Sequence, residues 1–365
     1  MSEYNWRAER EKYRSDFRKE AEQPTLQMAP EAARKFNFAN KYFISGIILL
    51  LAVIIAVIYM FRDNDSSTLL AEIAEKHKTA VGLVTLNIET HSGDKLVLPI
   101  GTAWAFDQKR FATNGHVAND LKNSLRQYID FRVQNLLENE AKQQNCKSLK
   151  EYLEKLSSQA DTVISRAERK VLSVIKNAYA EIVINGTAKK SYSVAYVQVH
   201  KDYGIVGTKY SPDLAVLTIL EKHDNYFKLA DKETLYKLKS GDAIAFLGFP
   251  MENLSDNNVH VDNPVASMQS GIVVAVSDFD LKDAGGDRNF FLRHNLPATG
   301  GASGSPIFTR DGKVIAALFG GNIIGNVVNG QVERMPSAVQ INFGVRIDLL
   351  SGVGEAVAIS DFLKL

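Results

Sequence analysis

The sequence predicts a mainly β fold that is interrupted by one helical insertion and preceded by one transmembrane helix. Three observations support this prediction. Many short β-branched runs separated by turn residues follow residue 79. Residues 119–180 show helical spacing and contain neither Gly nor Pro. Residues 43–61 carry no charge and are almost entirely apolar. The close spacing of the short strands favours β-barrels or a sandwich.

Composition limits what the chain can be. With 365 residues it has room for roughly two domains. Its 43 Lys and Arg against 42 Asp and Glu give a net charge of +1, which argues against a basic nucleic-acid binder. Because Cys146 is the single cysteine, neither an intrachain disulfide nor a multi-cysteine metal site can form.

The N-terminal part predicts a membrane anchor. Residues 1–41 are charged with mixed sign and are expected to form a cytoplasmic tail. Residues 42–61 are predicted to form the transmembrane helix, because the apolar run 43–61 would be about 28 Å long and lacks a polar stripe. No small-x-small cleavage site follows the run, so the anchor is expected to stay uncleaved. Nine Lys and Arg precede it, which favours an N-terminus in the cytoplasm of a single-pass inner-membrane protein. The C-terminal part would then be periplasmic or extracellular.

Residues 62–78 are predicted to form a linker with a short helix at Leu69–His77. Strands are expected at Ala80–Ile88, Leu96–Phe106, Arg110–His116, Glu181–Ile184, Ser193–Val199, Ala215–Leu220, Ala243–Gly248, Gly271–Val276, Pro306–Phe308 and Val314–Phe319. The pairs Asn185-Gly186 and Asp311-Gly312 are typical of hairpin turns. A break in the helical spacing near Gln143–Cys146 predicts that the insertion at 119–180 folds as a helical hairpin.

Three segments carry residues suited to nucleophilic catalysis. Ser303 lies between glycines in Gly300–Pro306, His116 follows Thr-Asn-Gly, and Asp213 precedes an apolar strand. Each alone has a structural explanation: a Gly/Ser turn or phosphate nest, a structural histidine, and a turn aspartate. Together they supply a nucleophile, its base and the carboxylate that orients the base. Their order along the chain is the chymotrypsin order.

Six blocks carry a resemblance to a known family: Gly101–Trp104, Thr113–Val117, Asp213–Leu217, Gly241-Asp242 with Gly248–Pro250, Ser270–Val273 and Gly301–Pro306. In these blocks the chain resembles the trypsin-like serine proteases, and most closely their bacterial HtrA/Deg-type branch. The resemblance covers roughly residues 79–350 and implies two six-stranded β-barrels with the active site between them. It also implies a mechanism without metal or cofactor.

The resemblance assigns a role to each site residue. His116 would be the general base and then the general acid, Asp213 would orient it, and Ser303 would be the nucleophile. The N–H groups of Gly301 and Ser303 would form the oxyanion hole. His294 could contact substrate, although a structural hydrogen bond is the commoner role for such a residue.

The chain departs from the family pattern in four places. Ala302 replaces the Asp or Asn of relatives, which excludes activation by burial of a new N-terminal amine. The insertion at 119–180 has no counterpart in the family core. Residues 351–365 form a C-terminal segment too short for a PDZ domain. Pro297 replaces the Asp that selects basic residues in trypsin, so no preference for Lys or Arg is expected. Pocket walls that include Leu318 and Gly320 would suit a small or medium apolar side chain.

Two functions from different classes follow. The first is a membrane-anchored serine endopeptidase acting on proteins or peptides, with an esterase as a weaker variant. The alternative is a membrane-tethered binding or assembly module on a protease scaffold. In that case the helical insertion would dock a partner protein or mediate homo-oligomerisation; it could equally cover the active site as a lid. Nucleic acid is not an expected partner.

Overall fold

The computed structural model describes residues 66–364, apart from 187–189, 251–260, 298, 322, 329–330 and 337–340. The predicted tail at 1–41 and the predicted transmembrane helix at 42–61 lie outside these residues. None of the helices within the described ranges is long and apolar enough to cross a bilayer.

Six antiparallel strands close the first barrel. They are β1 Val81–Thr90, β2 Lys95–Ala105, β3 Arg110–Thr113, β4 Ile175–Ile184, β5 Ser191–Val199 and β6 Ala215–Ile219. The order is β5-β4-β1-β2-β3-β6, and pairing of β5 with β6 closes the ring. The β-branched and aromatic composition of these strands suits a pleated surface that is buried on the inside.

The strands of the second half are β7 Lys228–Leu229, β8 Ala243–Gly248, β9 Ser267–Ser277, β10 Phe291–His294, β11 Pro306–Thr309, β12 Lys313–Gly321, β13 Ile323–Val328, β14 Gln331–Pro336 and β15 Asn342–Arg346. Six of them close the second barrel in the order β11-β8-β9-β10-β15-β12, with β11 paired to β12. Strand β7 adds in parallel to β12, and β13 pairs with β14. The predicted pair of six-stranded barrels is confirmed.

An apolar cluster joins the two barrels. It contains Leu83 and Trp104 from the first barrel and Leu247 and Phe308 from the second, with Trp104 and Phe308 fully buried. The ring of Phe227 lies against both of those aromatic rings, with centroids 6.0 and 5.6 Å away. Burial of this much aromatic surface holds the barrels in one arrangement, which fixes the groove between them.

The described residues also form six α-helices: α1 Ser66–Lys76, α2 Gly115–Gln143, α3 Leu149–Leu156, α4 Ala160–Val174, α5 Lys232–Tyr236 and α6 Ile359–Phe362. Helix α1 lies in the predicted linker and begins earlier than expected. Its Leu70 is 1% exposed and belongs to the apolar cluster between the barrels. The side-chain amide of Asn225 donates to the Lys76 carbonyl at its C-terminal end. Residues 66–76 therefore pack as part of the domain that contains the two barrels.

The insertion is helical, but both of its predicted boundaries are wrong. The third predicted strand ends at Thr113 and not at His116, because Asn114 is extended and precedes the first turn of α2. At the other end, residues 175–180 are not helical: they form the start of β4, where Ile175 pairs with Thr90 of β1. Because β1 continues to Thr90 and runs antiparallel to β4, the residues that pair with the end of β1 are the first residues of β4, from Ile175 onward. The predicted break after Gln143 does separate α2 from α3, but a 3-10 turn at Ser157–Gln159 divides the rest of the insertion into α3 and α4, so the predicted hairpin of two helices is wrong and three helices are present.

The C-terminal segment returns to the first barrel. Strand β16, Val357–Ala358, pairs with β5, and Leu363 after α6 is 5% exposed within the first apolar core. The predicted segment 351–365 is therefore integrated with the barrel that lies earlier in the chain.

Candidate active site

Strand register brings His116 and Asp213 together. Strands β3 and β6 are neighbours, and Thr113 pairs with Ala215. His116 follows the end of β3 and Asp213 precedes the start of β6, so the two residues leave the sheet at the same edge. The imidazole Nδ1 lies 2.6 Å from Asp213 Oδ2, and the backbone N–H of His116 donates to Oδ1 at 2.8 Å. Asn114 adds a third bond, from its side-chain amide to the Asp213 carbonyl at 2.8 Å.

The surroundings of His116 favour its protonated form. Burial is the largest influence and lowers the pKa, but the hydrogen bond and the charge of Asp213, helped by the charge of Asp120, raise it more. The net result is a pKa above 6.5. The imidazole of His116 is 33% exposed and the Asp213 side chain is 8% exposed, so the imidazole is open to solvent while its carboxylate partner is buried.

Tyr203 covers the start of α2. A Cβ on Gly115 would lie 2.8 Å from Cδ1 of the Tyr203 ring, so only glycine permits this contact. Burial, followed by the charges of Asp213 and Asp120, raises the pKa of the phenol to about 12. Tyr203 is therefore neutral at physiological pH, and its ring packs against the backbone at the start of α2, next to His116.

The serine loop lies in the second barrel, just before β11. Gly304 has φ +87°, and a Cβ there would approach the Thr102 carbonyl oxygen to 2.1 Å, so the turn after Ser303 requires glycine. The Ser303 carbonyl accepts from the Thr102 N–H at 2.9 Å, and the Gly301 carbonyl accepts from the Thr102 hydroxyl at 2.8 Å. The serine loop is thus hydrogen-bonded to strand β2 of the first barrel.

Gly101 shows how close this loop comes to the histidine. A Cβ on Gly101 would lie 3.3 Å from the Ser303 carbonyl oxygen and 2.9 Å from Cγ2 of Val117, the residue after His116. The structure therefore brings all three predicted residues to the junction of the barrels. Within the described residues, no hydrogen bond joins His116 Nε2 to Ser303 Oγ, a bond that often tightens only when substrate binds.

Two backbone donors in the serine loop, the N–H groups of Gly301 and Ser303, have no acceptor among the described residues. Gly301 has φ +82°, a conformation that glycine adopts without strain. Two unengaged N–H groups on either side of Ala302 can stabilise an oxyanion that develops next to the serine.

The predicted pocket residues differ in exposure. Pro297 and Gly320 are exposed, and Gly320 has φ +69°. Leu318 is fully buried in the core of the second barrel, so its backbone and not its side chain faces the loops. His294 is also fully buried, and its pKa is lowered to about 4, chiefly by burial. Burial keeps His294 away from substrate in this arrangement.

Sequence reasoning missed Asp120, Tyr203 and the role of Thr102. Asp120 could have been found, because Asn114 is a typical N-cap residue and a helix from that point would place Asp120 one turn after His116. No local pattern indicates Tyr203, which reaches the site from a turn far along the chain. No group of three or more His, Cys, Asp or Glu in the described part of the chain is placed to hold a metal ion.

Two closed six-stranded barrels, a hydrogen-bonded His–Asp pair on one and a glycine-flanked serine on the other define the class of double-barrel serine peptidases. A family model described as a trypsin-like peptidase domain matches residues 101–316, more than half of the chain. The chain belongs to the trypsin-like peptidase family. This is the family of serine endopeptidases that the sequence predicted; the individual roles of His116, Asp213 and Ser303 remain predictions.

Solved structures with a similar fold include HtrA-type proteases. The HtrA-type protease AlgW with a decapeptide has a TM-score of 0.41 at 12% identity, over 77% of this chain and 64% of that chain. AlgW with a tripeptide gives 0.40 at 13%, over 77% and 60%. Deg5 gives 0.41 at 13%, over 79% and 92%. The chain thus spans less than two thirds of the AlgW chain, and a similarity of this strength indicates neither substrate nor activity. No curated protein sequence matches the chain.

Proposed function

We propose that the protein is a membrane-anchored serine endopeptidase that cleaves peptide bonds through an acyl-enzyme on Ser303. The observation that carries the proposal is the His116–Asp213 pair, held by two hydrogen bonds, at the same barrel junction as the glycine-flanked Ser303. Membership of the trypsin-like peptidase family supports it.

The proposed reaction uses His116 to move one proton twice. Nε2 removes the proton from Ser303 Oγ as the oxygen attacks the substrate carbonyl, and Asp213 stabilises the resulting imidazolium through Nδ1–H. The negative oxygen of the tetrahedral intermediate accepts from the N–H groups of Gly301 and Ser303. His116 then gives its proton to the leaving amine, which breaks the peptide bond. Water, activated in the same way, hydrolyses the ester and restores Ser303.

The proposed substrates are proteins or peptides with a non-basic residue at the cleavage site. Pro297 supplies no charge to attract Lys or Arg. The partly exposed ring of Phe319 is packed against Phe291 and Phe343, with centroids 5.4 and 6.3 Å away, and offers an apolar wall near Gly320. A profile of cleaved peptides rich in Lys or Arg before the scissile bond would contradict this preference.

The anchor and its orientation are part of the proposal. The uncharged run at 43–61 would hold the protein in the inner membrane, with the N-terminus in the cytoplasm and the protease domain in the periplasm or outside the cell. A reporter enzyme that is active only outside the cytoplasm, fused after Leu365, tests the orientation. An inactive but intact fusion would contradict it.

A second candidate function is partner docking through the insertion. Phe131 on α2 is 61% exposed, which is unusual for so large an apolar ring. If the protein only binds a partner through this ring and has no peptidase activity, a fluorophosphonate probe should not label Ser303. Phe131→Ser should then abolish the interaction without changing the melting temperature.

A fluorophosphonate probe separates the two functions, because only an activated serine reacts with it. The full chain in detergent should be labelled, and Ser303→Ala should not be. Matched amide and ester substrates then distinguish an endopeptidase from an esterase. If the wild-type chain is labelled no faster than Ser303→Ala at any pH between 5 and 9, the endopeptidase proposal is wrong.

A further inference from the structure

Thr102 lies in strand β2 and is fully buried at the junction of the two barrels. Every polar group of this residue is paired. Its N–H donates to the Ser303 carbonyl, and its carbonyl accepts from the Thr113 hydroxyl at 2.7 Å. Its hydroxyl donates to the Gly301 carbonyl at 2.8 Å and accepts from the Phe249 N–H at 3.1 Å. Thr102 of the first barrel therefore hydrogen-bonds to the residues on both sides of Ala302 in the serine loop.

The hydroxyl of Thr102 fixes one particular peptide plane. The Gly301 carbonyl and the Ala302 N–H belong to the same rigid plane and point in opposite directions. Thr102 holds the carbonyl end, and the Thr299 carbonyl accepts from the Ala302 N–H at 3.1 Å. With both ends bonded, the plane cannot rotate, and the positive φ of Gly301 is held with it.

The next peptide plane is fixed as well. The Ala302 carbonyl accepts from the N–H of Ser305 at 3.1 Å and from its hydroxyl at 2.6 Å. Because the Ser303 N–H lies at the opposite end of this plane, it points away from the turn and stays without an acceptor among the described residues. The Gly301 N–H is the donor that depends most on Thr102, because neither it nor the Gly300 carbonyl at the other end of its peptide plane has a hydrogen-bond partner among the described residues.

We infer that Thr102 is a positioning residue, whose hydroxyl holds the Gly301–Ala302 peptide so that the Gly301 and Ser303 N–H groups stay directed at the oxyanion. The inference rests on the proposed function, because it concerns the oxyanion hole of that reaction. The hydrogen bonds of Thr102 within the described part of the chain do not include His116 or Asp213. Its effect is on the stability of the negative oxygen and not on the basicity of His116.

Replacing Thr102 by valine removes the hydroxyl and keeps the β-branched shape. The Gly301 carbonyl and the Phe249 N–H, which are both buried, then lose their hydrogen-bond partner. The Gly301 peptide is free to turn toward another donor, which moves its N–H away from the oxyanion. Loss of one donor from an oxyanion hole lowers kcat by about 100- to 1,000-fold. A partial misplacement should lower it by at least about tenfold.

The test compares variants of the full chain in detergent. We expect Thr102→Val to reduce kcat on a peptide substrate, and the rate of fluorophosphonate labelling, at least tenfold with KM changed less than threefold. Thr102→Ser retains the hydroxyl and should stay within threefold of wild type. The acid limb of the pH profile should not move in Thr102→Val, because His116 keeps Asp213. If Thr102→Val fails to fold by circular dichroism, Thr102→Ala provides the same comparison.

Thr85→Val is the matched control, because Thr85 is also a fully buried β-strand threonine whose hydroxyl donates to the Glu181 carbonyl and accepts from Asn87. It should keep wild-type kcat. The inference is overturned if Thr102→Val is labelled within threefold of wild type, if Thr102→Ser loses as much as Thr102→Val, or if Thr85→Val loses as much. Absence of labelling in wild type itself would instead reject the proposed function.

Discussion

Asp213→Asn is the substitution that most directly tests the site, because it preserves shape and removes charge. The asparagine oxygen can still accept from the His116 N–H, as Oδ1 does now at 2.8 Å. Its NH₂ group then faces Nδ1 in place of the carboxylate oxygen at 2.6 Å. Nδ1 must accept this hydrogen bond, so the ring carries its proton on Nε2. A protonated Nε2 cannot take the proton of Ser303.

The expected loss in kcat is about 10⁴-fold, which is the effect of this substitution on such triads. That loss corresponds to about 5 kcal/mol of transition-state stabilisation. The pH profile should also change. The wild-type acid limb follows a pKa above 6.5, and removing the hydrogen bond and charge of Asp213 leaves burial, which lowers the pKa. The acid limb of Asp213→Asn should therefore shift to lower pH.

The assay is kcat/KM on one peptide substrate from pH 5 to 9, with fluorophosphonate labelling in parallel. Asp224→Asn, at an exposed aspartate outside the site, is the control and should match wild type. A loss smaller than tenfold would refute the assignment of Asp213. So would an acid limb that stays in place or moves to higher pH.

Four further predictions concern the framework of the site. Leu70→Ala should lower the free energy of unfolding by about 2 to 5 kcal/mol in urea titrations, whereas Glu72→Ala on the exposed side of α1 should change it by less than about 0.5. If Leu70→Ala changes the free energy of unfolding no more than Glu72→Ala does, α1 does not pack into the domain and is only a linker. Burial lowers the pKa of His294 to about 4, whereas the unfolded chain takes up this proton near pH 6.5, so the free energy of unfolding should fall by about 3 kcal/mol between pH 6.5 and 4. His294→Leu should flatten this pH dependence, and an unchanged pH dependence would contradict the prediction. Gly304→Ala should abolish fluorophosphonate labelling because its Cβ would meet the Thr102 carbonyl; normal labelling would contradict the turn geometry. Deleting 119–180 should unfold the first barrel, seen as lost cooperative melting, since it removes residues 175–180 of β4; a folded deletion variant would contradict the β1–β4 register.

Strand alternation and turn pairs predicted β-barrels or a sandwich, and the family resemblance carried by the six blocks implied the two six-stranded barrels. Strands β10 and β15 were not predicted, because Phe291–His294 and Asn342–Arg346 are short and their partners are set by barrel closure far along the chain. The helix–strand boundary at Ile175 was misplaced for a related reason. Lys176, Asn177 and Ala178 suit a helix as well as a strand, and only pairing with β1 decides between them.

The site was predictable in its residue types and only partly in its connections. His116, Asp213 and Ser303 follow from chemistry and chain order. The hydrogen bonds around them depend on contacts between the two barrels, such as the bond from the Thr102 hydroxyl to the Gly301 carbonyl, and no spacing along the chain predicts these contacts. The same limit applied to His116 itself, whose place in the first turn of α2 shows only when Asn114 is recognised as the residue that precedes a helix.

The bond from the His116 N–H to Asp213 Oδ1 has a consequence for evolution of this chain. The first-turn amides of a helix need an acceptor, and the side-chain oxygen of Asn114 accepts from none of them, while its NH₂ group donates to the Asp213 carbonyl. Asp213 fills that role from a distant segment, with a negative charge that suits the start of a helix. A descendant that gave up peptide cleavage would still need an acceptor here to keep its long helix in place. An aspartate at this position in a related chain would therefore indicate that the helix start is preserved, and would not by itself show that the chain cleaves peptides.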